Sequence, residues 1–256
     1  MHTSPMAIEI FGERDRAALR RAGRVAAETL AEVGARIAPG VTTAQIDAWV
    51  REDTARRGGT PSQLGYHGFP AAVCTSVNDV VCHGVPSAKK VLREGDIVNV
   101  DVTTCLDGFH GDTSRTFVVG RGGARALHVV DTARRCLVAG IGAVRAGAHL
   151  GDVGAAIEDV AREAGCSVVR DFCGHGIGRA MHADPQVPHV GVRGRGVRLR
   201  AGMAITIEPM VNLGAPDVRV QGDGWTVVTR DGALSAQFEH TLLVVDGGAE
   251  VLTELA

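Results

Sequence analysis

No apolar run in the 256-residue sequence approaches the roughly 18 residues that a membrane-spanning helix needs. The opening MHTSPMAIEIFGERDR lacks the basic-then-apolar order of an export signal. The expectation is a soluble, cytoplasmic chain with no membrane partner. The six cysteines, Cys74, Cys82, Cys105, Cys136, Cys166 and Cys173, form no C-x-x-C pair, which excludes zinc-knuckle and thioredoxin-like motifs and leaves reduced, buried thiols. Lysine is nearly missing: Lys89 and Lys90 are the two, and arginine supplies the remaining positive charge as a compositional bias. The formal net charge is only -2, so nucleic-acid binding is not the main role and no specific nucleic-acid sequence is expected as a partner.

What is present reads as a folded core. With 45% hydrophobic residues the chain can bury a substantial interior, as one large domain or two small ones. Apolar residues recur at helical spacing through Leu19, Ala22, Ala26, Leu30, Val33 and Ile37 until Pro39-Gly40 stops them. TTAQ at 42–45 reads as a capping box opening a second helix through Ile46, Trp49 and Val50. A strand-rich stretch follows from about 70 to 119, and GRGGAR at 120–125 reads as a connector.

After that connector the pattern begins again. A shift of 107 residues places Gly40 on Gly147, Ile46 on Val153, Val50 on Ile157, Gly58 on Gly165, Gly95 on Gly202 and Asp101 on Glu208. Each half thus sets a carboxylate six residues after a glycine inside an apolar strand, EGDIVNVDV in one and AGMAITIEP in the other. Each also carries a histidine in a glycine-containing step, His83 in CHGV and His175 in GHGI. The expectation is an α+β architecture of two pseudo-symmetric halves that share one central sheet, with the site at their seam.

Asp101 and Asp112, in NVDVTTCLDGFHGDTSRTF, are costly charges in strands flanked by Val100 and Val102 unless something positive neutralises them. Asp107-Gly108 is a two-residue hairpin signal; if Leu106 pairs with Phe109, Asp101 faces Ser114 and Thr103 faces Asp112. The two aspartates are then diagonal neighbours on one face, about 7–8 Å apart at the backbone, converging on a common point rather than pairing with each other. Glu208 in ITIEPM and Glu239 in QFEHTLLVV bring the strand-embedded acids to four. Two divalent cations would neutralise them. Carboxylates alone suit magnesium; His175 as a nitrogen ligand shifts the choice toward manganese, iron, cobalt or zinc. His110 and His240 sit beside proposed ligands but alternate to the other side. His2, His128, His149 and His189 lack a supporting pattern and are read as surface or helix residues, and His67 as either pocket lining or surface. Cys82 and Cys173 flank the key histidines and are read as packing.

Taken in order and at their spacings, CHGVP, NVDVTTCLDGFHGDTSRTF, CGHGIGRAMHADP, TIEPM and QFEHT resemble the type I methionine aminopeptidases, over about residues 7–253. The resemblance implies the pita-bread fold, a pseudo-two-fold α+β structure with a central antiparallel sheet and two helix pairs on its outer face. Here that is one catalytic domain of residues 1–256, with repeats at about 14–119 and 126–246. It implies five metal ligands, Asp101, Asp112, His175, Glu208 and Glu239, with Asp112 and Glu239 bridging two cations. The implied activity is removal of the initiator methionine from nascent polypeptides whose second residue is small, and a monomer is expected.

His83 and His182 match the family's two substrate-facing histidines, and Tyr66, Cys74, His83 and Trp225 match its pocket positions. Phe69 and Met181 stand in the pocket where Tyr and Phe are common, and Gln63 where a Cys is expected. These departures bear on pocket shape and are expected to leave the metal site untouched. In the expected mechanism Glu208 accepts a proton as water attacks, His182 donates to the developing oxyanion, and His83 donates to the scissile amide region or the leaving amine. Proline-cleaving relatives share the fold and ligands; their extra N-terminal domain is not seen here, which favours methionine. A non-catalytic pita-bread binding protein would lack ligands, and all five are present. The segment VRGRGVRLR at 192–200 reads as a solvated basic connection, with transient contact to ribosomal RNA phosphates as the alternative.

Overall fold

The computed structural model describes residues 8–255, so His2 lies outside the described residues. Two helices open each half of the chain: α1 (Glu13–Gly34) and α2 (Thr43–Arg56), then α3 (Ala124–Ala143) and α4 (Leu150–Glu163). The apolar stripe of α1 faces inward, with Leu19, Ala22, Ala26 and Val33 fully buried, although the helix ends at Gly34, well before Pro39. Thr42 opens α2 with the expected capping box. Its hydroxyl accepts from the Gln45 N–H at 3.2 Å, and Gln45 Oε1 accepts from the Thr42 N–H at 2.8 Å. The equivalent residue of the second half, His149, donates its N–H to Asp152 at 2.8 Å and starts α4.

The offset of 107 recurs through the backbone. Thr43 and Arg56, the ends of α2, correspond to Leu150 and Glu163, the ends of α4. Gly40 and Gly147 turn with φ of 92° and 90°, a conformation that favours glycine. The isolated bridges Thr42 to Val91 and His149 to Arg198 correspond as well.

Strands of the first half are β1 (Thr60–Pro61), β2 (Cys74–Val77), β3 (Val80–Cys82), β4 (Ile97–Leu106) and β5 (Phe109–Val118). The second half adds β6 (Ser167–Val168), β7 (Gly174–Gly176), β8 (Ala183–Val187), β9 (Ala204–Ile207), β10 (Met210–Asn212), β11 (Val218–Val220), β12 (Val227–Thr229), β13 (Ser235–Val245) and β14 (Gly248–Val251). The main sheet runs β1-β4-β5-β13-β9-β7-β8, with β2 on β4 and with β10 and β14 on β13. Strand β13 is the seam: β5 of the first half pairs with it on one side and β9 of the second half on the other, both antiparallel. A small second sheet, β11-β12-β3, was not expected from the sequence pattern; it ties the second half to the strand that ends just before His83.

Each helix pair covers its own apolar cluster. In the first half Leu30, Val33, Ile46 and Val50 pack with Val98, Val100 and Val102. In the second, Val129, Leu137, Val153 and Ile157 pack with Ile205, Ile207 and Leu242. Burying each such side chain contributes about 1.5–3 kcal/mol. Because Val100 and Val102 are turned to the helices, the strand period of two leaves Asp101 and Thr103 on the opposite face. The helices therefore decide which side of the sheet receives the acids.

Candidate metal centre and substrate pocket

The Asp107-Gly108 turn has φ of 52° and 79°, the left-handed pair that a tight hairpin requires. It sets the expected register: Leu106 pairs with Phe109, Asp101 with Ser114 and Thr103 with Asp112. Strand β13 continues the rows, placing Glu239 opposite Ser114. Thr103 Oγ1 donates to Asp112 Oδ1 at 2.8 Å. The Thr241 hydroxyl accepts from the Asp112 N–H at 2.9 Å and donates to the Asp112 carbonyl at 2.8 Å. Asp112 is thus held through its carboxylate and through both backbone polar groups. Asp101, paired with Ser114, and Asp112, paired with Thr103, are diagonal neighbours on one face of the hairpin.

From the second half, β7 carries His175 between two glycines that the packing demands. A Cβ on Gly174 would meet the Thr206 carbonyl at 2.5 Å, and one on Gly176 the Asp184 carbonyl at 2.1 Å. The His175 N–H donates to Thr206 Oγ1 at 3.0 Å, and that hydroxyl donates to Glu208 Oε1 at 2.9 Å. His175 Nδ1 lies 3.0 Å from the Gly176 carbonyl, so it is the protonated nitrogen, and the Nε2 lone pair is left for the acids. Nε2 lies 3.5 Å from Glu208 Oε1 and 3.8 Å from Asp112 Oδ2. Asp112, His175 and Glu239 each offer a donor atom within 4.8 Å of the others. Asp101 adjoins that trio through Asp112, and Glu208 through His175.

The electrostatics follow from burial. Loss of solvent, then the Asp112 and Glu208 charges, push Asp101 well above the usual carboxylate range. Glu239 is raised well above it by burial and then by Asp112, Glu208 and Asp101. Burial lifts Glu208 to about 8, helped by Asp112, and Asp112 to about 7. Burial lowers His175 to about 3, with the His182 charge adding to it, and keeps the imidazole neutral. Asp101 Oδ1 and Glu239 Oε1 are buried with no protein hydrogen-bond partner. Four acids, two of them with orphaned oxygens, and one neutral imidazole form an oxygen-rich donor set that divalent cations fit, and cations would displace the protons that burial favours.

A cavity of about 230 Å³ adjoins these donors. All five proposed ligands line it, and so do the seven proposed pocket residues: Tyr66, Phe69, Cys74, His83, Met181, His182 and Trp225. The His182 and Tyr66 rings are 5.0 Å apart with His182 Nδ1 2.8 Å from the Tyr66 hydroxyl, and the Phe69 and Trp225 rings are 5.2 Å apart. Burial lowers His182 to about 4 and also lowers His83, so both rings are neutral near pH 7. His83 takes a left-handed backbone conformation, φ 55°, right after β3. A wider cavity of about 740 Å³ shares His83, Asp101, His175, His182 and Glu208 with the pocket and is lined by Cys82 and Cys173 as well.

Of the other histidines, His67 is exposed beside Tyr66 and does not line the pocket. His110 bonds Ser62 and His240 bonds Thr253, each at 2.8 Å, away from the acids. His189 is a correction. Expected at the surface or on a helix, it is 1% exposed, and its Nε2 accepts the Glu208 N–H at 3.1 Å. A histidine between Val187-Pro188 and Val190 was a signal in itself, since a buried imidazole needs a polar partner. Gln63 is a second. Its Nε2 donates to the Asp101 carbonyl at 2.9 Å and its Oε1 accepts from the Thr103 N–H at 3.4 Å, so this residue braces a proposed ligand as well as lining the pocket.

A model of metallopeptidase family M24 matches residues 17–246. The chain belongs to metallopeptidase family M24. It is 48% identical over 246 residues to methionine aminopeptidase A of Synechocystis sp., covering 96% of this chain and 97% of that one. It is 46% identical over 249 residues to the methionine aminopeptidase of Escherichia coli, covering 97% and 94%. Within the family it stands among the methionine aminopeptidases. The crystal structure of the Rickettsia prowazekii methionine aminopeptidase superposes with a TM-score of 0.95 at 45% identity, over 96% of this chain and 100% of that one. The Pyrococcus furiosus prolidase shares the fold with a TM-score of 0.75 at 19% identity, and only 66% of its length is covered.

Proposed function

We propose that the protein is a metal-dependent aminopeptidase that removes methionine from the N-terminus of nascent polypeptides whose second residue is small. The observation that carries the reading is the juxtaposition of two buried acids, Asp112 and Glu239, two partly buried ones, Asp101 and Glu208, and a neutral His175 with a 230 Å³ pocket lined by Phe69, Met181 and Trp225. That pocket suits an unbranched, adaptable thioether side chain. Residues 1–256 act as one catalytic unit of two repeats. Asp101, Asp112, His175, Glu208 and Glu239 would hold two divalent cations, with Asp112 and Glu239 contributing to both. The chemistry such cations supply when bound is acidification of water and polarisation of a carbonyl.

The chain's own groups do the rest. Glu208 accepts the proton of the attacking water, its carboxylate oriented by Thr206 at 2.9 Å and Gln237 at 3.3 Å. His182, with the Tyr66 hydroxyl donating to Nδ1, presents Nε2–H to the oxyanion as it forms. His83 donates to the scissile amide region or the leaving amine. The acidic cluster receives the free amino group of the substrate, which restricts cleavage to chain ends. The protein works as a cytoplasmic monomer. The exposed Arg195, Arg198 and Arg200 make transient contact with ribosomal RNA phosphates, while Arg193 is engaged by Asp159 at 2.6 Å.

Purified protein incubated with Met-Gly-type and X-Pro-type peptides, with and without manganese or cobalt, tests this directly. The expected result is release of methionine from the first class only, abolished by a chelator. Preferential cleavage of X-Pro peptides, or none of either with cations present, would overturn it.

A further inference from the structure

The catalytic pocket has neighbouring spaces along β8. The 740 Å³ cavity that shares His83 and His182 with it is also lined by Ala183, Asp184 and Gln186, all on β8. Asp184 and Gln186 in turn line a further cavity of about 740 Å³, walled by Pro188, Val190, Val192 and Val197. Each of the three spaces shares wall residues with the next, and the groove is also walled by Leu150 and Gly151 at the start of α4. Val192 is 68% exposed and Val197 38%, which places two of the molecule's exposed large apolar side chains in this one groove.

Among the described residues, β8 is the last strand of the main sheet, paired to β7 on one side and to no strand on the other. An open strand edge offers backbone donors and acceptors to another extended chain. From His182 to Gln186 is four residues, at most about 13 Å at about 3.3 Å per residue. A substrate extended along β8 from the pocket would reach the groove with about its fourth to sixth residue.

We infer that the polypeptide substrate leaves the site along the open edge of β8 and seats apolar side chains from about its fourth to sixth residues in the groove of Val190, Val192 and Val197. The inference rests on the peptidase reading above. Such a surface suits a substrate chosen by its first two residues, whose sequence beyond them is arbitrary. Backbone pairing and undirected apolar contact bind without demanding a particular sequence. A chain still unfolded, as one being synthesised is, exposes the apolar residues that such a groove takes.

The test compares a tripeptide with an octapeptide that begins with the same three residues and carries leucine at positions five and six. The wild-type enzyme loaded with manganese is set beside the double variant Val192→Asp, Val197→Asp, whose changes lie at exposed positions. The expected result is a kcat/KM about 10-fold higher for the octapeptide in the wild type. In the double variant that advantage vanishes while tripeptide cleavage is unchanged. Equal rates on both peptides in the wild type, or an advantage that survives in the double variant, would overturn the inference. A wild-type dimer in sedimentation velocity that the double variant dissociates would assign the groove to a second copy and overturn it too. Failure of the wild type to cleave the tripeptide at all would instead remove the peptidase reading itself.

Discussion

In the first half of the chain, Asp101 stands inside an unbroken ten-residue strand; in the second, Glu208 follows a four-residue strand that stops at Ile207 and resumes at Met210 after Pro209. Both carboxylates lie six residues after a left-handed glycine, Gly95 at φ 87° and Gly202 at φ 92°. Their supports differ. Asp101 is braced by a side-chain amide, Gln63 to its carbonyl, whereas Glu208 is braced by an imidazole, His189 to its N–H. The repeat fixes the address of each acid, and the local chain supplies whatever holds it there. Supports with different chemistry at equivalent positions point to the position of the carboxylate as the shared requirement.

The ways to break this arrangement fall in order of size. Replacing a proposed ligand at the seam is the most severe: Asp112→Asn should lower activity about 10³-fold or more and abolish tight binding of a second cation. Retention of two tight sites by calorimetry would contradict its assignment. Next, His182→Ala should lower kcat about 10²-fold while cation binding survives, because the role proposed for His182 is at the oxyanion and not at the cations. Parallel loss of bound metal and of activity in that variant would remove the assigned role. The supports come third. Gln63→Ala and His189→Ala should each weaken cation affinity about 10- to 100-fold, the usual cost of removing a group that orients a ligand. A loss in one and none in the other would mean that only one half needs bracing.

The smallest effect is on stability and has a definite direction. In the metal-free chain Asp101 and Glu239 are raised well above their ordinary values, Glu208 to about 8 and Asp112 to about 7. The folded state then binds more protons than the unfolded state between the ordinary carboxylate range and about pH 8. Stability from these groups is present below that window and lost as pH rises through it. The histidines act in the opposite sense and lower down: His175 and His189, lowered to about 3, and His182, to about 4, lose stability as pH falls below about 6.5. Between pH 6.5 and 8.5 the acids dominate, so Tm of the metal-free protein should fall. With saturating manganese the fall should disappear, because cations take the place of the protons. An unchanged Tm across that range without metal would contradict the raised state of these four acids.

Much of this was legible in the sequence, for local reasons. The Asp107-Gly108 turn dictates a register, and the register alone puts Asp101 and Asp112 on one face. The capping box at Thr42 and Gln45 and the glycines at one offset mark where the second helix of each half begins. Other features depend on distant contacts. His182 carries no local pattern, and its match to a known family supplied its role. His189 acts on the Glu208 backbone across a loop, and Gln63 acts on β4 from beyond the end of β1; neither partner is visible in the flanking residues. The strand pair β11 and β12 was missed because VRV and VVT are three residues each, too short to show a period.

In the proposed function both halves of the chain deliver their acids and His175 to one pair of cations. Diffraction from crystals grown with manganese, with anomalous data collected, tests it most directly. Two adjacent anomalous peaks contacted by Asp101, Asp112, His175, Glu208 and Glu239 are expected. No peak among these residues, or manganese bound elsewhere with the five side chains uncoordinated, would contradict it.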